Sequence, residues 1–249
     1  MAGREIPEAQ PARRACSLHL SARLDAIASM VTPGNTVADV GCDHGYIPIR
    51  LCGEDIAPAA IASDINRGPL RRVEENIRQY HLEEKISLRL SDGLENYMPG
   101  EADTLIIAGM GGILIAEILE KKPAVRDSFR EIILGPQSEY ESLRNYLGQR
   151  GITIAGEDLI SEDGKYYPVL RCIPGGEPYA LIETEARFGP CLFAARHPVL
   201  KEQLAEIQEK TEELLEKLMA SDSLKAKRRT EELKEEMLLI KAALAYYEM

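Results

Sequence analysis

Thr36-Val37-Ala38-Asp39-Val40-Gly41-Cys42-Asp43-His44-Gly45-Tyr46 decides the fold. It is a short apolar run that carries an acid, breaks into a glycine turn and continues as a helix-like segment, Ile47 to Cys52. Strand, glycine turn, helix is how a doubly wound α/β sheet offers its first βα turn to a nucleotide. Glycine lets the backbone come close to a ligand because no Cβ stands in the way. The dinucleotide fingerprint needs three glycines as G-x-G-x-x-G. Here they fall as Gly41-x-x-x-Gly45, with Asp39 two residues before the first. A carboxylate there repels a pyrophosphate and suits a ligand that carries an ammonium group.

The flanking sequence repeats the unit. Leu18 to Val31 has apolar residues at 18, 20, 24, 27, 28 and 31, a helical spacing. Thr32-Pro33-Gly34-Asn35 ends it. Further strands are expected at 59–64, 85–90, 103–108 and 131–134, and helices at 66–80, 113–121 and 140–147. Segments 152–160 and 166–172 read as a hairpin with Asp163-Gly164 at its tip. Five alternations imply parallel strands with right-handed crossovers, and the hairpin adds one antiparallel strand. The expected fold class is α/β, a Rossmann-like sheet with a terminal antiparallel strand and a C-terminal helical appendage.

Pro174-Gly175-Gly176-Glu177-Pro178 reads as a linker. The expected division is a flexible tail over 1–16, a ligand-binding domain over 17–173 and a helical domain over 174–249. In the last part, Leu200, Leu204, Ile207, Thr211, Leu214 and Leu218 form one stripe. Ala226, Thr230, Leu233, Met237, Ile240, Leu244 and Tyr247 form another. Spacings alternating between four and three predict an antiparallel coiled coil.

Asp39, Asp64 and Asp92 all fall at or near strand ends, where open α/β sheets bind ligands. Asp64 lies 23 residues after Gly41, a distance that suits a carboxylate accepting from both ribose hydroxyls. Asp92 suits the exocyclic amine of adenine. A dinucleotide enzyme would also place an acid at Asp64, so that residue alone does not discriminate, but together with Asp39 and Asp92 it suits a ligand such as S-adenosylmethionine. Each taken alone is equally a turn or capping residue.

The chain resembles the class I S-adenosylmethionine-dependent methyltransferases and, more closely, the bacterial tRNA adenine-22 N1-methyltransferase family. The resemblance rests on Leu20-Ser21-Ala22-Arg23-Leu24, Asp39 to Tyr46, Ser63-Asp64-Ile65-Asn66, Ser91-Asp92-Gly93-Leu94, Ala108-Gly109-Met110-Gly111-Gly112, Gly135-Pro136-Gln137 and Gly164-Lys165-Tyr166-Tyr167. It implies that Asp39, with Gly41, His44 and Gly45 in the turn, holds the methionine end of the cofactor. Asp64, Ile65 and Asn66 hold the ribose, and Asp92 and Gly93 the adenine. Gly109, Met110, Gly111 and Gly112 line the pocket of the target base. The Asn/Asp-Pro-Pro-Tyr/Phe motif of exocyclic-amine methyltransferases is absent after the fourth strand, which leaves room for a ring nitrogen. Asp43 is the candidate to stabilise the cation that forms on the base, with Gly109 and Met110 beside it. Tyr46 could stack on a base, and Lys165 and Tyr166 at the hairpin tip could touch RNA.

Net charge is −11, with −4 of it from Ile173 onward, so any RNA contact must use local patches. Lys225, Lys227, Arg228 and Arg229 at the turn of the helical pair are the main one. Five cysteines with no C-x-x-C pair suit a reduced, cytoplasmic protein without zinc or a disulfide framework. No membrane span or signal peptide is expected, and no metal. Two other readings stay open: a small-molecule methyltransferase or nicotinamide enzyme that dimerises through the helical pair, and a non-catalytic interaction protein. A monomer that takes tRNA as its partner is the first expectation.

Overall fold

The computed structural model describes residues 18–220 and 223–248. The tail expected over 1–16 lies outside them. Seven strands form one sheet in the order β3-β2-β1-β4-β5-β7-β6. They are β1 (Val37–Val40), β2 (Ala60–Asp64), β3 (Ile86–Leu90), β4 (Thr104–Ala108), β5 (Glu131–Gly135), β6 (Thr153–Glu162) and β7 (Lys165–Ile173). The first five are parallel, and β7 enters antiparallel between β5 and β6. Strand order reverses at β1, so the turn after β1 opens at the switch point.

Side-chain alternation divides the sheet into two cores. Val37, Ala60, Ile106 and Ile133 pack under α1 (Ala22–Ser29), α2 (Tyr46–Gly53) and α3 (Arg67–Gln79). Ala38, Val40, Leu105, Ile107 and Ile132 face α4 (Gly112–Lys121), the short α5 (Pro123–Arg126) and α6 (Tyr140–Gln149). α1 is shorter than its apolar spacing suggests, because the Ser21 side chain accepts from Leu24 N at 3.5 Å and starts the helix there. Asp163 and Gly164, with φ of 51° and 69°, make a two-residue hairpin turn, so β6 and β7 run further toward the tip than expected.

Two short helices that the periodicity does not reveal, α7 (Glu183–Phe188) and α8 (Pro190–Ala194), follow the linker. They share a third core with Leu159 of β6 and the roots of α9 (Pro198–Met219) and α10 (Leu224–Ala245). A buried ion pair ties this unit down. Arg144 of α6 meets Glu157 of β6 at 2.8 Å and donates to the carbonyls of Ala186 and Arg187, while Glu157 accepts from Cys191 N. The two long helices lie side by side as an arm. Their stripes are buried at the root, at Leu200, Leu204, Leu233, Met237 and Ile240. Toward the tip the seam thins to Thr211, Ala226 and Thr230, and Leu214 is exposed. Both threonines satisfy their hydroxyls on carbonyls one turn back, so this end of the seam buries little apolar surface.

Candidate functional site

The carboxyl ends of β1, β2, β4 and β5, roofed by α1 and the start of α2, enclose a cavity of about 420 Å³. That volume suits a small ligand. Val37 and Asp39 alternate onto the face covered by α1, so Asp39 points into the cavity from beneath that helix. It is 3 % exposed. Burial pushes its carboxyl up to about 7, and no charge or hydrogen bond offsets that push among the described residues. On the roof, Arg23 lines the same cavity, and its buried Nε has no partner. Its guanidinium lies 5.0 Å from the centre of the Tyr167 ring on β7.

The glycine turn is tightly held. Gly41 N and Cys42 N both donate to Ser63 O of β2, at 2.8 and 3.0 Å. The buried Tyr97 hydroxyl donates to Ser63 Oγ. Gly41 has φ of 76°, and a Cβ there would stand 2.1 Å from Met110 Cε. No other residue fits without moving Met110. Burial, with Asp39 and Asp64 nearby, pushes the Cys42 thiol up, so it stays protonated.

Asp64, at the end of β2, lines the cavity and accepts from Asn66 N at 2.8 Å. Ile65 beside it is 59 % exposed, and Asn66 is exposed too. Asp92 lies beyond β3, outside the cavity wall and 3.3 Å from Lys121 Nζ. Gly93 is buried against Ile118. Asp43 is largely exposed, 3.3 Å from Arg72 and 3.5 Å from His44. His44 and Tyr46, both on the cavity wall, stack with ring centres 5.2 Å apart and planes at 9°. Gly45 opens α2 at φ of 70°.

On the far side Gly109 and Met110 line the cavity, while Gly111 and Gly112 do not. Those two press instead on Ser138 and Glu139, with no room for a Cβ. Lys165 is exposed at the hairpin tip, and the Tyr166 hydroxyl donates to Glu206 of α9 at 2.8 Å. That bond joins the hairpin to the arm. Lys225, Lys227, Arg228 and Arg229 are all exposed at the start of α10. Glu232 pairs with both arginines. From Glu206 to the end of α9 the arm extends about 20 Å. Among the described residues no three His, Cys, Asp or Glu converge as metal ligands.

The sequence assigns no role to Arg23 or Gln137, and gives Tyr167 only an RNA contact at the hairpin tip. Arg23 had a signal, since Arg23, Leu24 and Ile27 share one face of α1 and a charge on an apolar stripe asks for a partner.

The donor set fits a zwitterion with a nucleoside attached: a buried carboxyl, a half-buried guanidinium with an unpartnered Nε lining the same cavity, and a ribose-side carboxylate on the next strand. A family model described as a methyltransferase domain matches residues 20–170. The tRNA (adenine(22)-N(1))-methyltransferase of Bacillus subtilis (strain 168) is 32 % identical over 232 residues, 91 % of this chain and 98 % of that one. The crystal structure of Streptococcus pneumoniae Sp1610 in complex with S-adenosyl-L-methionine superposes with a TM-score of 0.80 at 32 % identity, covering 91 % of this chain and 100 % of that one. M. capricolum TrmK with S-adenosyl-homocysteine gives 0.78 at 25 % identity, covering 91 % and 98 %. With its cavity built on the β1 turn and its likeness extending through the helical arm, the chain belongs to the tRNA (adenine(22)-N(1))-methyltransferase family.

Proposed function

We propose that the protein transfers a methyl group from S-adenosylmethionine to N1 of adenine 22 in tRNA. The observation that carries this reading is the pairing of a partnerless Asp39 with a partnerless Arg23 Nε in one cavity. When bound, the cofactor supplies a sulfonium methyl that passes in line to the adenine N1 lone pair, leaving the sulfur neutral and the base cationic.

Asp39 holds the ammonium of the cofactor and Arg23 its carboxylate. Gly41, His44 and Gly45 shape the turn around that end. Asp64, Ile65 and Asn66 take the ribose, and Asp92 and Gly93 the adenine edge. N1 has an in-plane lone pair, so no residue has to remove a proton first. The chain's task is positioning, with the reacting atoms held ~3–3.5 Å apart. Gly109 and Met110 wall the acceptor base, Tyr46 gives it a stacking face, and Gly111 and Gly112 support that wall from behind. Asp43 places a carboxylate near the new cation, shared with Arg72. The base leaves its stack to reach the cavity.

Residues 17–173 do the chemistry and the helical domain, 174–249, grips the folded RNA. Lys165 and Tyr166 meet it near the cavity, and Lys225, Lys227, Arg228 and Arg229 meet it at the coiled-coil tip. The apolar stripes of α9 and α10 cover each other within one chain, which favours a monomer over dimerisation through the arm. Among the described residues no helix is long and apolar enough to cross a membrane, and the reading places the enzyme in the cytoplasm with its substrate.

The test is methyl transfer from labelled S-adenosylmethionine to unmodified tRNA, followed by nucleoside analysis. Label in 1-methyladenosine at nucleotide 22, lost in Asp39→Ala, is expected. Label in another nucleoside, or none in tRNA, overturns the acceptor assignment.

A further inference from the structure

We propose that Gln137 selects the acceptor base by reading the Hoogsteen edge of adenine, its carboxamide accepting from the N6 amine and donating to N7. The proposal rests on the adenine-N1 reading above and adds the residue that enforces it.

If N1 faces the methyl donor, most of the Watson–Crick edge is committed to the reaction. The groups left to recognise adenine in its plane are the second N6–H and N7, a donor and an acceptor side by side. A carboxamide offers the complementary pair, an acceptor oxygen and an NH2 donor. Gln137 is the one carboxamide on the cavity wall among the described residues. The carboxylates of the wall can only accept when ionised.

The backbone holds Gln137 firmly and leaves its side chain free. Gln137 N donates to Met110 O at 2.8 Å, and Gln137 O accepts from the Tyr140 hydroxyl at 2.9 Å. On either side, Gly109 N donates to Gly135 O and Gly112 N to Ser138 O, so the loops after β4 and β5 are zipped together. The carboxamide itself makes no hydrogen bond among the described residues. It lies alongside Gly109, where a Cβ would stand 3.9 Å from its Nε2. The stacked rings of His44 and Tyr46 line the same cavity as Gln137. Guanine offers two acceptors on that edge and pyrimidines lack N7, so only adenine satisfies both amide groups.

The test uses the full-length enzyme and a tRNA transcript with either adenosine or 7-deazaadenosine at nucleotide 22. The wild type should lose roughly tenfold in kcat/KM when N7 is deleted. Gln137→Ala should be slower on adenosine, by roughly 10- to 100-fold, and should no longer respond to the loss of N7. Gln137→Glu, which can accept from N6 but not donate to N7, should also ignore that loss. Both variants should bind S-adenosylmethionine as the wild type does. Equal N7 sensitivity in wild type and variants overturns the proposal, as does a loss of cofactor affinity in the variants. Absence of 1-methyladenosine with the wild type on adenosine would fail the functional reading itself, and this proposal with it.

Discussion

Along the helical arm, charges meet partners at helical spacing: Lys210 with Glu206, Lys217 with Glu213, Arg228 and Arg229 with Glu232, Lys234 with Glu231. In the cavity, Asp39 is buried without a partner, Arg23 has a buried orphan Nε, and the Gln137 amide is unengaged. The energies run the other way. An exposed helical pair contributes about 0.3–0.5 kcal/mol, whereas a buried polar group left unpaired costs about 1–3 kcal/mol. A fold keeps such groups where a ligand completes them. The arm's charges keep it solvated, and the cavity's charges are half of a binding interaction.

The largest effect should come where a buried charge is already paired. Arg144→Ala leaves Glu157 buried without its counter-charge, and should lower unfolding stability by about 3–5 kcal/mol, read by denaturant titration. Next is Asp39→Asn, expected to weaken S-adenosylmethionine binding roughly a hundredfold by calorimetry. The same variant should not lose stability. The folded pKa of Asp39 is raised, so its contribution is full below about pH 4 and declines as pH rises through about 7. Asp39→Asn should remove that decline, and its apo melting point should match or exceed the wild type at about pH 8. Arg23→Ala should cost about 2 kcal/mol of cofactor affinity. Arg23→Lys should recover little of it, because an ammonium cannot reproduce the planar contact with Tyr167. Smallest is the tip. Reversing Lys225 and Lys227 together should weaken tRNA binding by about 1 kcal/mol and flatten its salt dependence, leaving cofactor affinity unchanged. A larger effect at the tip than in the cavity would break the comparison.

The same contrast explains what could be read beforehand. The sheet was legible because its strands are short apolar or alternating runs ended by turn residues, and Asp39 stood out as the one charge within the β1 run, which is buried on both faces. The paired helices were legible from their spacing, although spacing could not reveal that Thr211 and Thr230 satisfy themselves locally and leave the tip seam thin. α7 and α8 were missed because neither is long enough to show a period. Arg23 belongs to α1 and Tyr167 to β7, more than a hundred residues apart. Only the tertiary fold brings them together and sets Arg23 on the wall of the cavity that holds Asp39. Gly111 and Gly112 read as pocket lining because they continue Gly109-Met110, but the chain turns into α4 there and their open faces receive Ser138 and Glu139.

Asp39 is the incomplete half of an ion pair. Calorimetric titration with S-adenosylmethionine, at about pH 6.5 in buffers of different ionisation enthalpy, tests it directly. Relative to Asp39→Asn, the wild type should release about three quarters of an additional proton on binding, and its affinity should rise with pH up to about 7 and then level off. Equal proton release in wild type and variant, with parallel affinity profiles, would mean that Asp39 does not ionise against the cofactor and would contradict the account.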